Sequence, residues 1–154
     1  MAMRLDETDR KILAELQADA SQSLDEIAKK IGSSKTPVWN RIRKMREGGV
    51  IRAIRDEINW QSLGYTVEVS LRFTLDKTNP RAFDEFITAA REIPEVIEIQ
   101  TFLGRVDVRL SVLARDMPHY QGIYRDQILS LPHIADIEAL MHVARIKSDE
   151  SLPL

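Results

Sequence analysis

Ser33-Ser34-Lys35-Thr36-Pro37-Val38-Trp39-Asn40-Arg41-Ile42-Arg43-Lys44-Met45-Arg46-Glu47-Gly48-Gly49-Val50-Ile51 is the stretch on which the reading of this chain turns. On a helix with about 100° per residue, Val38, Ile42 and Met45 fall within about 60° of one another and form a core seam. Thr36, Asn40, Arg43 and Lys44 fall on the opposite side. Such hydrogen-bonding side chains meet base edges and phosphates. The Gly48-Gly49 pair ends the helix. Trp39, about 100° from the seam, reads as a flank of the domain core rather than a base-stacking residue.

The residues just upstream fit the same picture. Ser23-Leu24-Asp25-Glu26 is a capping box. Leu24, Ile27, Ala28 and Ile31 follow at helical spacing, and Gly32 stops the helix where a left-handed residue is needed. Gly32-Ser33-Ser34 is the turn, Ser34 the expected N-cap of the next helix, and Pro37 lies in its first turn, where a missing N–H leaves no intrahelical bond unmade. Two helices joined by a short glycine-containing turn predict a helix-turn-helix. An earlier helix, from Asp6 to about Ala18, offers Ile12, Leu13 and Leu16 as the third wall of a small core. A basic helix face is also what any solvated helix can show, so the trihelical setting carries the assignment.

Charge is distributed accordingly. Residues 1–60 hold 12 Lys/Arg against 10 Asp/Glu, and residues 61–154 hold 10 against 14. From Lys35 to Arg52 there are six basic residues and one acidic, the local footprint of phosphate contact. The chain has 154 residues, room for two small domains, and no cysteine, which excludes disulfides and thiol chemistry. No apolar stretch is long enough to span a membrane, so a cytoplasmic protein is expected.

The second half alternates with period two. Val67, Val69, Leu71, Phe73 and Leu75 form one face of a strand and Glu68, Ser70, Arg72 and Thr74 the other. Asn79-Pro80 is expected to open a helix with Phe83, Phe86, Ile87 and Ala90 inward. A strand from about Val96 to Leu103, a turn at Gly104-Arg105 and a strand from Val106 to Leu113 follow. Asp116 caps a second helix bearing Tyr120, Ile123, Tyr124 and Ile128, and a last strand is expected from Ile134 to Lys147. The order βαββαβ predicts an α+β chain: an N-terminal helix-turn-helix domain (winged-helix-like) and a C-terminal ferredoxin-like domain. The expected limits are 1–51 for the first domain, 52–64 for a connector, 65–148 for the second domain and 149–154 for a loose tail.

First and third strands are neighbours in that topology, so opposite charges are expected to face each other on their outer side. That face is expected to pack against a second subunit. The last strand, apolar at Ile137, Ala139, Leu140, Met141, Val143 and Ile146, reads as buried on both sides.

These residues resemble the leucine-responsive/AsnC (feast/famine) family of transcription regulators, over about Leu5 to Lys147. The most specific pieces are Leu5 to Leu13, Thr36-Pro37-Val38-Trp39-Asn40-Arg41-Ile42, Gly48-Gly49-Val50-Ile51 and Gly104-Arg105-Val106-Asp107. The resemblance implies binding to double-stranded DNA, a homodimer that assembles to tetramers or octamers, and a small effector, usually an amino acid, bound near the Gly-x-x-Asp turn. Candidate DNA contacts are Ser34, Lys35, Thr36, Pro37, Asn40, Arg41, Arg43, Lys44 and Arg46. Thr36, Asn40 and Arg43 are placed toward base edges, and Lys35, Arg41, Lys44 and Arg46 toward phosphates. Candidate effector contacts are Leu103, Gly104, Arg105, Val106, Asp107 and Arg109. The family commonly has a hydroxyl residue where Leu103 stands and an aromatic where Val106 stands. Arg105 or Arg109 offers a guanidinium for a carboxylate; alternatively Asp107 and Arg109 only pair with neighbouring strands.

Two other functions are open at this stage. One is an architectural DNA binder without effector response. The other is an enzyme resembling tetrapyrrole decarboxylases, but His119, His133 and His142 lack metal-ligand spacing, and no nucleophile motif or phosphate loop is seen. No catalytic residue, metal or cofactor is expected.

Overall fold

The computed structural model describes residues 3–148 and 151–154. The chain forms two units, Met1–Glu57 with Lys147–Leu154, and Ile58–Ile146. In the first, α1 (Glu7–Ala18), α2 (Leu24–Ile31) and α3 (Lys35–Glu47) close around Ile12, Ile27, Ala28, Val38, Ile42 and Met45. Each helix begins at the expected residue. Asp6 and Asp9 cap α1 reciprocally, and Ser23 and Glu26 do the same for α2. Gly32 takes φ +69°, which sharply turns α2 into α3 and which a side-chain-bearing residue rarely adopts. Ser34 stands at the N-cap of α3 without a side-chain hydrogen bond there. The helical unit is of the plain trihelical kind, followed by an extended segment.

The second unit is a four-stranded antiparallel sheet in the order β2-β3-β1-β4, with β1 (Val67–Leu75), β2 (Val96–Thr101), β3 (Val108–Ala114) and β4 (Ile134–Met141). Helices α4 (Ala82–Arg91) and α5 (Met117–Ile123), the latter running on into a wider turn at Tyr124–Ile128, cover one face. The alternation in β1 and β3 puts Val69, Leu71, Phe73, Val108, Leu110 and Val112 in that core. Phe86 of α4 packs on Phe73 with ring centroids 4.9 Å apart and planes tilted by 59°.

Four details differ from expectation. Asn79-Pro80 precedes α4 rather than opening it: the Asn79 side chain accepts the Arg81 N–H and its carbonyl the Ala82 N–H, a self-contained turn that delays the helix to Ala82. Strands β2 and β3 are shorter where they approach Gly104, because the Asp107 backbone pairs with Phe102 and Phe73 in a turn. The last strand ends at Met141, with one further bond from His142 to Glu68. Because β1 starts at Val67, later residues have no strand to pair with, and Val143 and Ile146 are exposed rather than buried on both sides.

The fourth difference concerns charge. The register sets Arg72 opposite Arg109 and Ser70 opposite Ser111, so like charges face each other across β1 and β3. The opposite charges come from the outer strands: Arg109 meets Glu98 at 2.8 Å and Arg72 meets Glu138 at 3.8 Å. A row Glu–Arg–Arg–Glu thereby spans all four strands. Of the expected tail, Asp149 and Glu150 lie outside the described residues. The Gln17 amide donates to the Leu152 carbonyl at 3.2 Å and accepts its N–H at 2.8 Å.

Candidate nucleic-acid interface

The capped turn from α2 leaves α3 with its seam inward and its polar side outward. Ser34, Lys35, Thr36, Pro37, Asn40, Arg43, Lys44 and Arg46 are all exposed, whereas Val38, Ile42 and Met45 are buried. Thr36, Asn40, Lys44 and Arg46 make no side-chain hydrogen bond or ion pair among the described residues. Lys35 reaches Asp25 at 3.3 Å, an exposed pair that water and salt readily displace. One helix thus carries four exposed cations and two exposed hydrogen-bonding side chains.

Arg41 is placed differently. It turns back from α3 to α1, where Nη1 lies 2.7 Å from Asp6 Oδ2 and 2.8 Å from Asp9 Oδ1. Those carboxylates belong to the α1 capping box, so one guanidinium ties the start of α1 to the middle of α3. Hydrogen bonds to Asp9 and Asp6 raise Arg41 above its ordinary value. Asp6 is lowered, first by the Asp9 backbone N–H and then by Arg41. No spacing in the sequence links residues 32 and 35 positions apart, so this clamp is invisible there.

Trp39 also has an unforeseen neighbour. The Arg43 guanidinium lies over its indole, 4.8 Å from the ring centroid. Trp39 and Arg43 are at i and i+4, a signal the sequence did contain.

The second candidate site is the turn before β3. Gly104 has φ +154°, a conformation that glycine alone adopts easily. Leu103, Gly104 and Arg105 are exposed, and Val106 is half-buried. Asp107 is buried, with its carboxylate turned inward: Oδ2 accepts the Leu75 N–H at 2.8 Å and Oδ1 meets Lys77 Nζ at 2.9 Å. Burial alone would raise this carboxyl, but the Leu75 N–H and the Lys77 ammonium bring it below its ordinary value. Arg109 is engaged with Glu98. Of the three charged candidates, Arg105 alone presents its side chain outward without a partner among the described residues. Its carbonyl accepts the Thr74 hydroxyl at 3.1 Å, which fixes the turn.

No cluster of three or more metal-ligating side chains occurs among the described residues, and no described helix is long and apolar enough to cross a membrane.

Comparison with known proteins agrees with this geometry. Residues 5–46 match the AsnC-type helix-turn-helix domain, and residues 68–152 match the Lrp/AsnC ligand binding domain. The chain is 40% identical over 131 residues to a proline dehydrogenase transcriptional activator of Rhodobacter capsulatus, covering 85% of each. It is 30% identical over 148 residues to the leucine-responsive regulatory protein of Escherichia coli, covering 96% of this chain and 90% of that one. Among solved structures, an AsnC family transcriptional regulator from Agrobacterium tumefaciens superposes with a TM-score of 0.88 at 33% identity, with 97% of each chain covered. A Neisseria meningitidis transcriptional regulator in complex with L-Met superposes with a TM-score of 0.90 at 25% identity, also with 97% of each covered. With an AsnC-type helix-turn-helix domain and an Lrp/AsnC ligand binding domain matched in one chain, this protein belongs to the Lrp/AsnC family of transcriptional regulators.

Proposed function

We propose that this chain is a sequence-specific regulator that reads double-stranded DNA with α3 as a homo-oligomer and responds to an amino acid or a related small carboxylate. One observation carries the DNA assignment: the exposed side of α3 holds Thr36, Asn40, Lys44 and Arg46 without partners among the described residues, beside Arg43 on its indole. Asn and Arg at such positions pair with adenine and guanine edges, and lysines take phosphates. Arg41 stands as the positioning residue of α3, because its charge is spent on Asp6 and Asp9.

A second copy is the proposed occupant of the outer sheet face. No helix of the second unit covers that face, yet Ser70 Oγ and Arg109 Nε there are buried without a hydrogen-bond partner among the described residues. Buried polar groups rarely stay unpaired, and a facing subunit or trapped water supplies the partners. Twofold pairing also supplies two reading helices for two half-sites, which a single one serves poorly.

The effector assignment is supported by the match to a ligand-binding domain and by the outward Arg105 on a turn fixed by Gly104 and Asp107. An effector acts only by binding one arrangement of subunits more tightly than another. Leu103 at the turn favours an architectural binder as the second reading, since a bare aliphatic side chain offers a ligand no hydrogen bond. The test is binding to a fluorescent fragment from upstream of the protein's own gene, over a salt series, with and without the twenty amino acids. Salt-steep binding that shifts with the amino acids supports the proposal. Binding indifferent to them supports the architectural reading, and a folded protein that binds nothing at low salt defeats both.

A further inference from the structure

Arg43 is flanked on both sides along α3. One turn back is the Trp39 ring, 4.8 Å from the guanidinium carbon. One turn on is Glu47, whose Oε1 is 3.8 Å from Arg43 Nε, beyond hydrogen-bond reach. The ring is half exposed, and it also helps to wall a cleft with Leu16, Leu24, Ile27, Ile42 and Ile54. Arg43 lines the same cleft; the indole has two side-chain torsions against the arginine's four, so the ring is the stiffer member of the pair. A guanidinium stacked on a ring face keeps its in-plane N–H fork available, and that edge is what pairs with guanine O6 and N7. Without the ring, the long Arg43 side chain is left to Glu47 and to solvent.

We propose that Trp39 is a positioning residue for DNA readout: it holds the Arg43 guanidinium flat on the ring with its N–H edge available, so that base pairing at one position requires the indole as well as the arginine. This rests on the DNA-binding assignment of α3.

The experiment uses the full chain carrying Trp60→Phe, which leaves Trp39 as the only indole of the two. Without DNA, the Arg43 side-chain protons should show a ring-current shift in NMR spectra that Trp39→Phe retains and Trp39→Leu abolishes. With the upstream fragment, Trp39→Leu should weaken binding about three- to tenfold, with little change on a base-shuffled fragment of the same length. Trp39→Phe should restore most of the loss, and Trp39→Leu should add nothing in an Arg43→Ala background. Equal losses on both fragments, a loss additive with Arg43→Ala, or no loss would overturn the proposal. If Trp39→Leu is less folded by circular dichroism, the ring-current shift and the Trp39→Phe affinity decide. A folded starting protein that binds neither fragment defeats the DNA-binding assignment itself and this proposal with it, an outcome distinct from tight binding indifferent to Trp39.

Discussion

Arg41 Nη1 on α3 lies 2.8 Å from the buried carboxylate of Asp9 on α1. A cation on α3 is therefore part of the scaffold that holds that helix. Arg41→Ala should destabilise the helical unit by about 1–3 kcal/mol, because the buried Asp9 carboxylate keeps the Asp6 N–H but loses its cation. Thermal unfolding measures this directly. The slope of log affinity for DNA against log salt should stay unchanged, whereas loss of a phosphate contact would reduce it by about 1.

The remaining cations should separate by role. Lys44→Ala and Arg46→Ala should weaken binding to every sequence alike, each lowering the salt slope by about 1. Arg43→Ala should cost about 1–3 kcal/mol at one base position and leave binding to shuffled DNA nearly intact. Fluorescence anisotropy on single-base variants checks both.

The turn before β3 should be acid-sensitive. Asp107 is below its ordinary value in the folded chain, so its contribution is present above the unfolded carboxyl value of about 3.9 and fades as pH falls through the lower, folded one. Asp107→Asn keeps an acceptor for the Leu75 N–H and loses the charge facing Lys77. It should lower stability near neutral pH by about 1 kcal/mol and flatten the acid limb of the stability curve. Urea unfolding between pH 3 and pH 7, followed on the sheet domain, gives the answer.

The outer sheet face supplies a test of assembly. Leu140 is opposite Ser70 in the register and half-buried in the single chain. Leu140→Glu should leave the fold intact and weaken self-association by about thirtyfold or more, since a facing subunit would bury an unpaired carboxylate. Sedimentation velocity over a concentration series reads the change.

Much of this was legible in local sequence. The capping box at Ser23, Gly32 and the period-two run at Val67–Leu75 are short-range signals that the structure places as expected, and the run read from Val106 to Leu113 is a strand shifted to Val108–Ala114. What escaped was set by contacts between distant residues. The Arg72–Arg109 pairing depends on register, and the Arg41 clamp on how α3 crosses α1. The end of β4 was misjudged because an apolar pattern continues past the point where β1 has residues left to pair with. In the helix-turn-helix, exposure follows periodicity, so eight of the nine candidate DNA contacts lie on the surface, and only Arg41 turns inward.

The central claim is that α3 reads bases. The most direct measurement is the affinity of the full chain for its footprinted upstream site and for the same fragment with shuffled bases, repeated with Asn40→Ala and Arg43→Ala. Preference of the unaltered protein for the native site by about a thousandfold or more, shrinking by about ten- to hundredfold in either variant, is the result this account predicts. Equal affinity for both fragments, or a preference that survives both substitutions, would contradict it.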